Sequence, residues 1–118
     1  MGISKAARRH IDLEIGKAIE LLESGAPEEA FQHLERAHVL GQADTAVHTR
    51  VHWLMLKAGI RRGDLGEVWG QVIRIIGAAT KTPLGIYPKG NTGGANVYFF
   101  KPMPIAGDLQ AILDERDQ

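Results

Sequence analysis

The chain has 118 residues, the size of one domain of roughly 100 to 150 residues whose core needs neither metal nor disulfide to hold it. Fourteen Lys and Arg balance fourteen Asp and Glu, so there is no net field to draw in a nucleic acid or an anionic membrane. With no Cys, disulfides, thiolate nucleophiles and sulfur-ligated metals are excluded, and any metal site must use nitrogen and oxygen.

The elements follow from caps and periodicity. Ser4 can cap a first helix reaching about residue 24, with Ile11, Ile15, Ala18, Ile19 and Leu22 along one face. Gly25 ends it, and Pro27, Glu28 and Glu29 suit the first turn of a second helix that carries Phe31 and Leu34 inward and closes at Gly41. Asp44 can cap a third helix to about residue 62, presenting Val47, Val51, Leu54 and Ala58. After Gly63, Asp64 can cap a fourth, for which Val68, Trp69, Val72, Ile73 and Ile76 are the expected core side. Trp53, on the third helix, is also expected in the core.

Placing Gly25 on Gly63 brings Glu29 onto Glu67, Phe31 onto Trp69, Leu34 onto Val72 and Arg36 onto Arg74. The chain therefore reads as two similar hairpins, with Ala30, Leu34 and Ala37 at tetratricopeptide-like spacing. Two hairpins are fewer than the three or so units a free solenoid needs, so the rest of the chain is expected to cover the open end. Residues 81–107 are rich in Gly and Pro, with Thr82-Pro83, Tyr87-Pro88, Gly90-Asn91-Thr92-Gly93-Gly94 and Pro102-Met103-Pro104. Helix is implausible there, and a short extended piece at 97–100 fits Val97-Tyr98-Phe99-Phe100. Ile86, Tyr87, Val97, Phe99 and Ile105 are expected to bury against the helices, and a last short helix fits residues 108–115. The fold expected is all-α: one domain over 1–118, with a four-helix layer at 1–80 and a wrapping arm and short helix at 81–118. Met1-Gly2-Ile3-Ser4-Lys5 lacks the apolar stretch of a signal peptide and no apolar run nears the ~20 residues of a bilayer span, which predicts a cytoplasmic protein without membrane or nucleic acid partners.

His33-Leu34-Glu35-Arg36-Ala37-His38-Val39-Leu40-Gly41-Gln42, the stretch from His48 to His52 with Trp53, and Gly90-Asn91-Thr92-Gly93-Gly94-Ala95-Asn96-Val97 together resemble an uncharacterised bacterial family, domain of unknown function 3703. The resemblance covers nearly the whole chain. It implies a small bacterial one-domain protein and assigns no role to any residue.

Four of the five His lie between positions 33 and 52. At roughly 100° per residue, His48, His52 and Met55 form one stripe of the third helix, while Phe31, Leu34 and His38 share the inner stripe of the second with Glu35 at its edge. His33 points almost oppositely. A short loop joins these helices as antiparallel neighbours, so Glu35, His38, His48 and His52 can converge as ligands of a divalent transition metal, zinc or iron foremost. Only one Glu-x-x-His turn is present, which favours a mononuclear site over a di-iron one. Histidines at a core border also serve plain hydrogen-bonding roles, with Glu35, Asp44 and Asp64 as candidate partners, and that reading stays open.

The glycine-rich loop offers two readings. It can be a tight turn with Gly at positive φ and Asn bonding the local backbone, or Asn91, Gly93, Gly94 and Asn96 can hold a small ligand near the histidines. No P-loop lysine follows the glycines and the only Ser residues, Ser4 and Ser24, sit at helix ends, so nucleotide binding and a serine triad are not supported. The sequence thus points to a metal-binding protein with an open coordination position for water or a small molecule; metal-dependent hydrolysis is the simplest chemistry should it catalyse a reaction. The alternative is a tetratricopeptide-like interaction or self-association module, a homo-oligomer included, in which the histidines only satisfy hydrogen bonds.

Overall fold

The computed structural model describes residues 3–98 and 101–115. Phe99, Phe100, Met1 and Gly2 lie outside the described residues, and with them part of the extended piece expected at 97–100. Four helices run in order: α1 (Lys5–Glu23), α2 (Pro27–Gly41), α3 (Thr45–Arg62) and α4 (Leu65–Lys81). A single 3-10 turn (Thr82–Leu84), an irregular arm and a short α5 (Gly107–Asp114) complete the chain, and no strand occurs among the described residues. The fold is all-α.

The boundaries are set by local chemistry. The side chains of Ser4, Asp44 and Asp64 accept from the amides of Ala7, Val47 and Glu67 at 3.1, 3.0 and 3.0 Å, satisfying donors that a first helical turn leaves free. Pro27 opens α2 with Glu28 and Glu29 behind it, and Gly63 closes α3 at φ 69°.

α1 packs on α2, α2 on α3 and α3 on α4, as two hairpins in succession. Ile11, Ile15, Ala18 and Leu22 of α1 meet Phe31, Leu34 and Ala37 of α2 and Val51, Leu54 and Ala58 of α3 in one apolar core. α5 closes the α1 and α2 side with buried Leu109, and Arg36 bridges Glu14 at 2.6 Å and Asp108 at 2.5 Å to fasten it there.

α4 departs from expectation. Trp69, Ile73 and Ile76 are 70, 56 and 61 % exposed, and Val68 and Val72 only half-buried, while Glu67, Gln71 and Ala78 are buried. The helix is turned so that its i, i+4, i+11 row of Glu67, Gln71 and Ala78 faces inward, because the space beside α3 is filled by histidines and requires hydrogen-bond partners rather than hydrocarbon. Trp53 is also exposed, with Lys57 Nζ 5.9 Å from its ring centre. The arm does not cover the outer row of α4: it crosses the buried polar face between α2, α3 and α4, leaving Ile86 45 % exposed and Tyr87, Val97 and Ile105 half-buried.

Candidate metal centre

His38 near the end of α2, and His48 and His52 one turn apart on α3, are all buried. A residue spacing of four keeps His48 and His52 on one face of α3, and the tight link between α2 and α3 brings His38 opposite them. The three Nε2 atoms converge: His38 Nε2 lies 3.0 Å from that of His48 and 3.0 Å from that of His52. Ring centres are 4.6 to 4.9 Å apart.

Each ring is held from behind through Nδ1. His38 Nδ1 is 2.7 Å from the Asn91 carbonyl, His52 Nδ1 2.6 Å from Gln71 Oε1, and His48 Nδ1 2.7 Å from Thr82 Oγ1. A carbonyl only accepts, so His38 carries its proton on Nδ1. Gln71 is oriented by its other partners: its Nε2 donates to Glu67 Oε2 at 2.6 Å and to the Gly93 carbonyl at 2.8 Å, both pure acceptors, which leaves Oε1 to accept from His52. The Nε2 atoms of neutral His38 and His52 are therefore bare lone pairs facing one another. Only the Thr82 hydroxyl, able to donate or accept, leaves the His48 tautomer free.

The surroundings oppose a proton as the bridge. Burial, reinforced by mutual repulsion with His52 and His48, pushes the His38 pKa well below the ordinary histidine value. Burial lowers His48 to about 4. Burial and then His48 lower His52 to about 3. The bare Nε2 atoms of neutral His38 and His52, with His48 Nε2 beside them and free to take the same tautomer, form a donor set suited to a cation. Three nitrogens at 2.0 to 2.1 Å from a tetrahedral metal stand about 3.3 Å apart, against 3.0 Å for the two pairs that include His38 and a span within 4.8 Å for the whole group. Nδ1–H bonded to an oxygen acceptor is the arrangement that metal-ligating histidines adopt.

Glu35 does not join this group, which consists of His38, His48 and His52. It is half-buried on the adjoining face of α2, bonded to Thr92 and facing a separate cavity with Arg62 and Glu67, where burial raises its pKa. An i, i+3 spacing leaves two side chains about 60° apart around a helix, enough to put Glu35 beyond the seam that His38 enters. Asp44 and Asp64 serve as helix caps, not as histidine partners. His33 turns to Glu14 at 3.3 Å, and His10 Nδ1 lies 2.9 Å from the Ala6 carbonyl.

The glycine-rich loop supports the histidines through its backbone. The Asn91 carbonyl holds His38, while its side chain accepts from the Gly93 amide at 2.8 Å and donates to the carbonyls of Tyr98 and Lys101. Gly93 has φ 90°, and a Cβ there would lie 2.6 Å from His38 Cδ2, so only glycine allows this approach. Gly94 is buried against Phe31, and Asn96 is exposed beside the Glu35 cavity. Gln71, Thr82 and Glu67 are the site residues that sequence reading missed. Their only signal was the polar pair Glu67 and Gln71 at i, i+4 within the apolar pattern of α4, with Thr82 just past its end.

A cavity of about 310 Å³ opens onto the three imidazoles, bounded by the inner end of α4 and by the arm from Thr82 to Gly93. Fold and site together define a small all-helical protein with a buried three-histidine centre facing a cavity. Residues 5–113 match the family model described as protein of unknown function (DUF3703), and the chain belongs to that family. No curated protein and no solved structure matches it.

Proposed function

We propose that the chain is a mononuclear metal-binding protein that holds one divalent transition metal, zinc or ferrous iron, on the Nε2 atoms of His38, His48 and His52. The observation that carries this reading is the pair of unprotonated nitrogens of His38 and His52 at 3.0 Å, a contact that is repulsive without a cation between them. Imidazole suits both metals, and three protein ligands leave a further coordination position for water or a small molecule from the cavity. Among the described residues no Asp or Glu lines that cavity, so a metal-bound water would have no carboxylate among them to take a proton, and binding is favoured over hydrolysis. Elemental analysis of protein purified without an affinity tag is the test. Close to one metal per chain, lost on His38→Ala or His52→Ala and kept on His33→Ala, is expected; a metal-free protein that fails to take up zinc or ferrous iron overturns the reading.

A second reading, compatible with the first, is self-association through α4. Its outer row of Leu65, Trp69, Ile73 and Ile76 is more than half exposed throughout. Trp69 is the counterpart of Phe31, which is buried beneath Arg62 and Gly94, so α4 presents the face that a following unit covers in a stacked helical array. A second copy of the chain is the proposed occupant. Sedimentation over a range of concentrations should give a dimer that Trp69→Asp converts to monomer with its helical content unchanged. A parent chain that stays monomeric throughout rules this out.

A further inference from the structure

The cavity beside the histidines carries a charge pattern that the metal site alone does not explain. Ile73, Ile76, Ala78 and Ile86 make its walls largely apolar, and among the described residues Arg74 and Lys81 are its cations and no carboxylate lines it. Arg74 is half-buried. Its guanidinium donates to the carbonyls of Gly70 at 3.1 Å and Val97 at 2.7 Å, two of five N–H donors, and both partners are neutral. Among the described residues no carboxylate pairs with Arg74 or Lys81 within ion-pair distance; Glu67, whose charge favours that of Arg74, spends Oε2 on Gln71 and the Ala95 amide. A guanidinium kept half out of water with only carbonyl partners is a standing site for an anion.

Resting on the proposed metal centre, we infer that the cavity binds a small carboxylate with an apolar tail, its head group bridging the open metal position and Arg74 and its tail lying along Ile73, Ile76 and Ile86. The volume of about 310 Å³ is at the small end of ligand cavities, roughly 300 to 1,000 Å³, which restricts the tail to a short chain. The head group is selected twice, by the metal and by the guanidinium, whereas a neutral ligand of equal length would leave Arg74 uncompensated.

Calorimetric titration of the zinc-loaded protein with acetate, butanoate and hexanoate, and with the alcohols of the same lengths, tests this directly. Each buried methylene should strengthen carboxylate binding roughly fourfold, the equivalent of about 0.8 kcal/mol. Alcohols should bind at least tenfold more weakly than the matching acid. Arg74→Gln should keep full zinc occupancy, since Arg74 is not one of the three ligands and its charge only opposes a cation beside His38 and His52, yet lose tenfold or more in carboxylate affinity, while Arg74→Lys should lose less. Thr80→Asp, on an exposed position of the cavity rim, should likewise weaken carboxylates without touching the core. Zinc bound at one per chain, with carboxylates no tighter than alcohols or indifferent to both Arg74→Gln and Thr80→Asp, overturns the inference and leaves the metal centre standing. A chain that takes up no zinc overturns both.

Discussion

His38 and His52 meet through two nitrogens that carry no proton, 3.0 Å apart, because the Asn91 carbonyl and Gln71 Oε1 claim the Nδ1 hydrogens from the other side. The contact costs the metal-free fold free energy that a cation would recover. Chelator-treated protein should therefore melt lower than zinc-loaded protein, with a gap that grows with free zinc as linkage requires: about 2.7 kcal/mol at a hundredfold excess over the dissociation constant. Differential scanning calorimetry against zinc concentration checks this, and a melting point that ignores zinc counts against the centre.

The pH dependence of the metal-free protein follows from the same burial. His48 and His52 titrate at about 4 and about 3 in the fold, against about 6.5 unfolded. Their folded pKa values are depressed, so below pH 6.5 the unfolded chain takes up protons that the fold refuses. Stability is therefore present above about 6.5 and is lost as pH falls toward 4, by about 1.4 kcal/mol per pH unit for each such histidine. Urea denaturation of chelated protein at pH 7 and pH 5 should show this loss, and His48→Gln should shed part of it. Metal affinity of the folded chain should in contrast change little between pH 7.5 and 5.5. Histidines of ordinary pKa would lose affinity steeply over that interval, but these are already deprotonated by burial.

Gln71→Leu keeps the volume of the side chain but removes the acceptor that fixes the His52 tautomer. Zinc affinity should fall by about ten- to a hundredfold, the usual effect of losing a group that orients a metal-bound histidine. Competition with a chromophoric chelator measures it, and an unchanged affinity would show that the rings need no such support. Gln71→Glu should not rescue it, because the second carboxylate oxygen would replace the donor that Glu67 Oε2 and the Gly93 carbonyl accept from.

Gly93→Ala tests the arm's approach to His38. The new Cβ would meet the ring at 2.6 Å with the backbone held at φ 90°, so either the loop withdraws or His38 turns. A loss of about 1 to 3 kcal/mol in stability is expected, together with weaker zinc binding. Gly77→Ala, inside α4 where an added Cβ meets nothing within 4 Å, should leave zinc binding unchanged and raise stability by about 0.5 to 1 kcal/mol, and serves as the control.

Most of the helical frame was legible in the sequence, because capping and hydrophobic period are local. Ser4, Asp44 and Asp64 each satisfy an amide three residues on, and Pro27 and Gly63 act within their own turns. The meeting of His38, His48 and His52 was legible for the same reason: a spacing of four on one helix and a short link to the next leave little freedom. Glu35 shows the limit of that reasoning, since a rotation of some 60° separates it from His38 and periodicity alone does not say which side of the seam each residue takes.

What only the tertiary structure decided is which face of α4 turns inward. Taken alone, the helix has an apolar row through Trp69, Ile73 and Ile76 and a polar row through Glu67 and Gln71, and burying hydrocarbon is the ordinary choice. The histidines of α3 reverse it. Their Nδ1 hydrogens and the loop carbonyls at Asn91 and Gly93 are buried groups that need partners, and leaving several of them unpaired costs more than exposing three apolar side chains at the end of a stack. That balance depends on groups brought together from positions 38, 52, 71 and 91, and no single helix contains it.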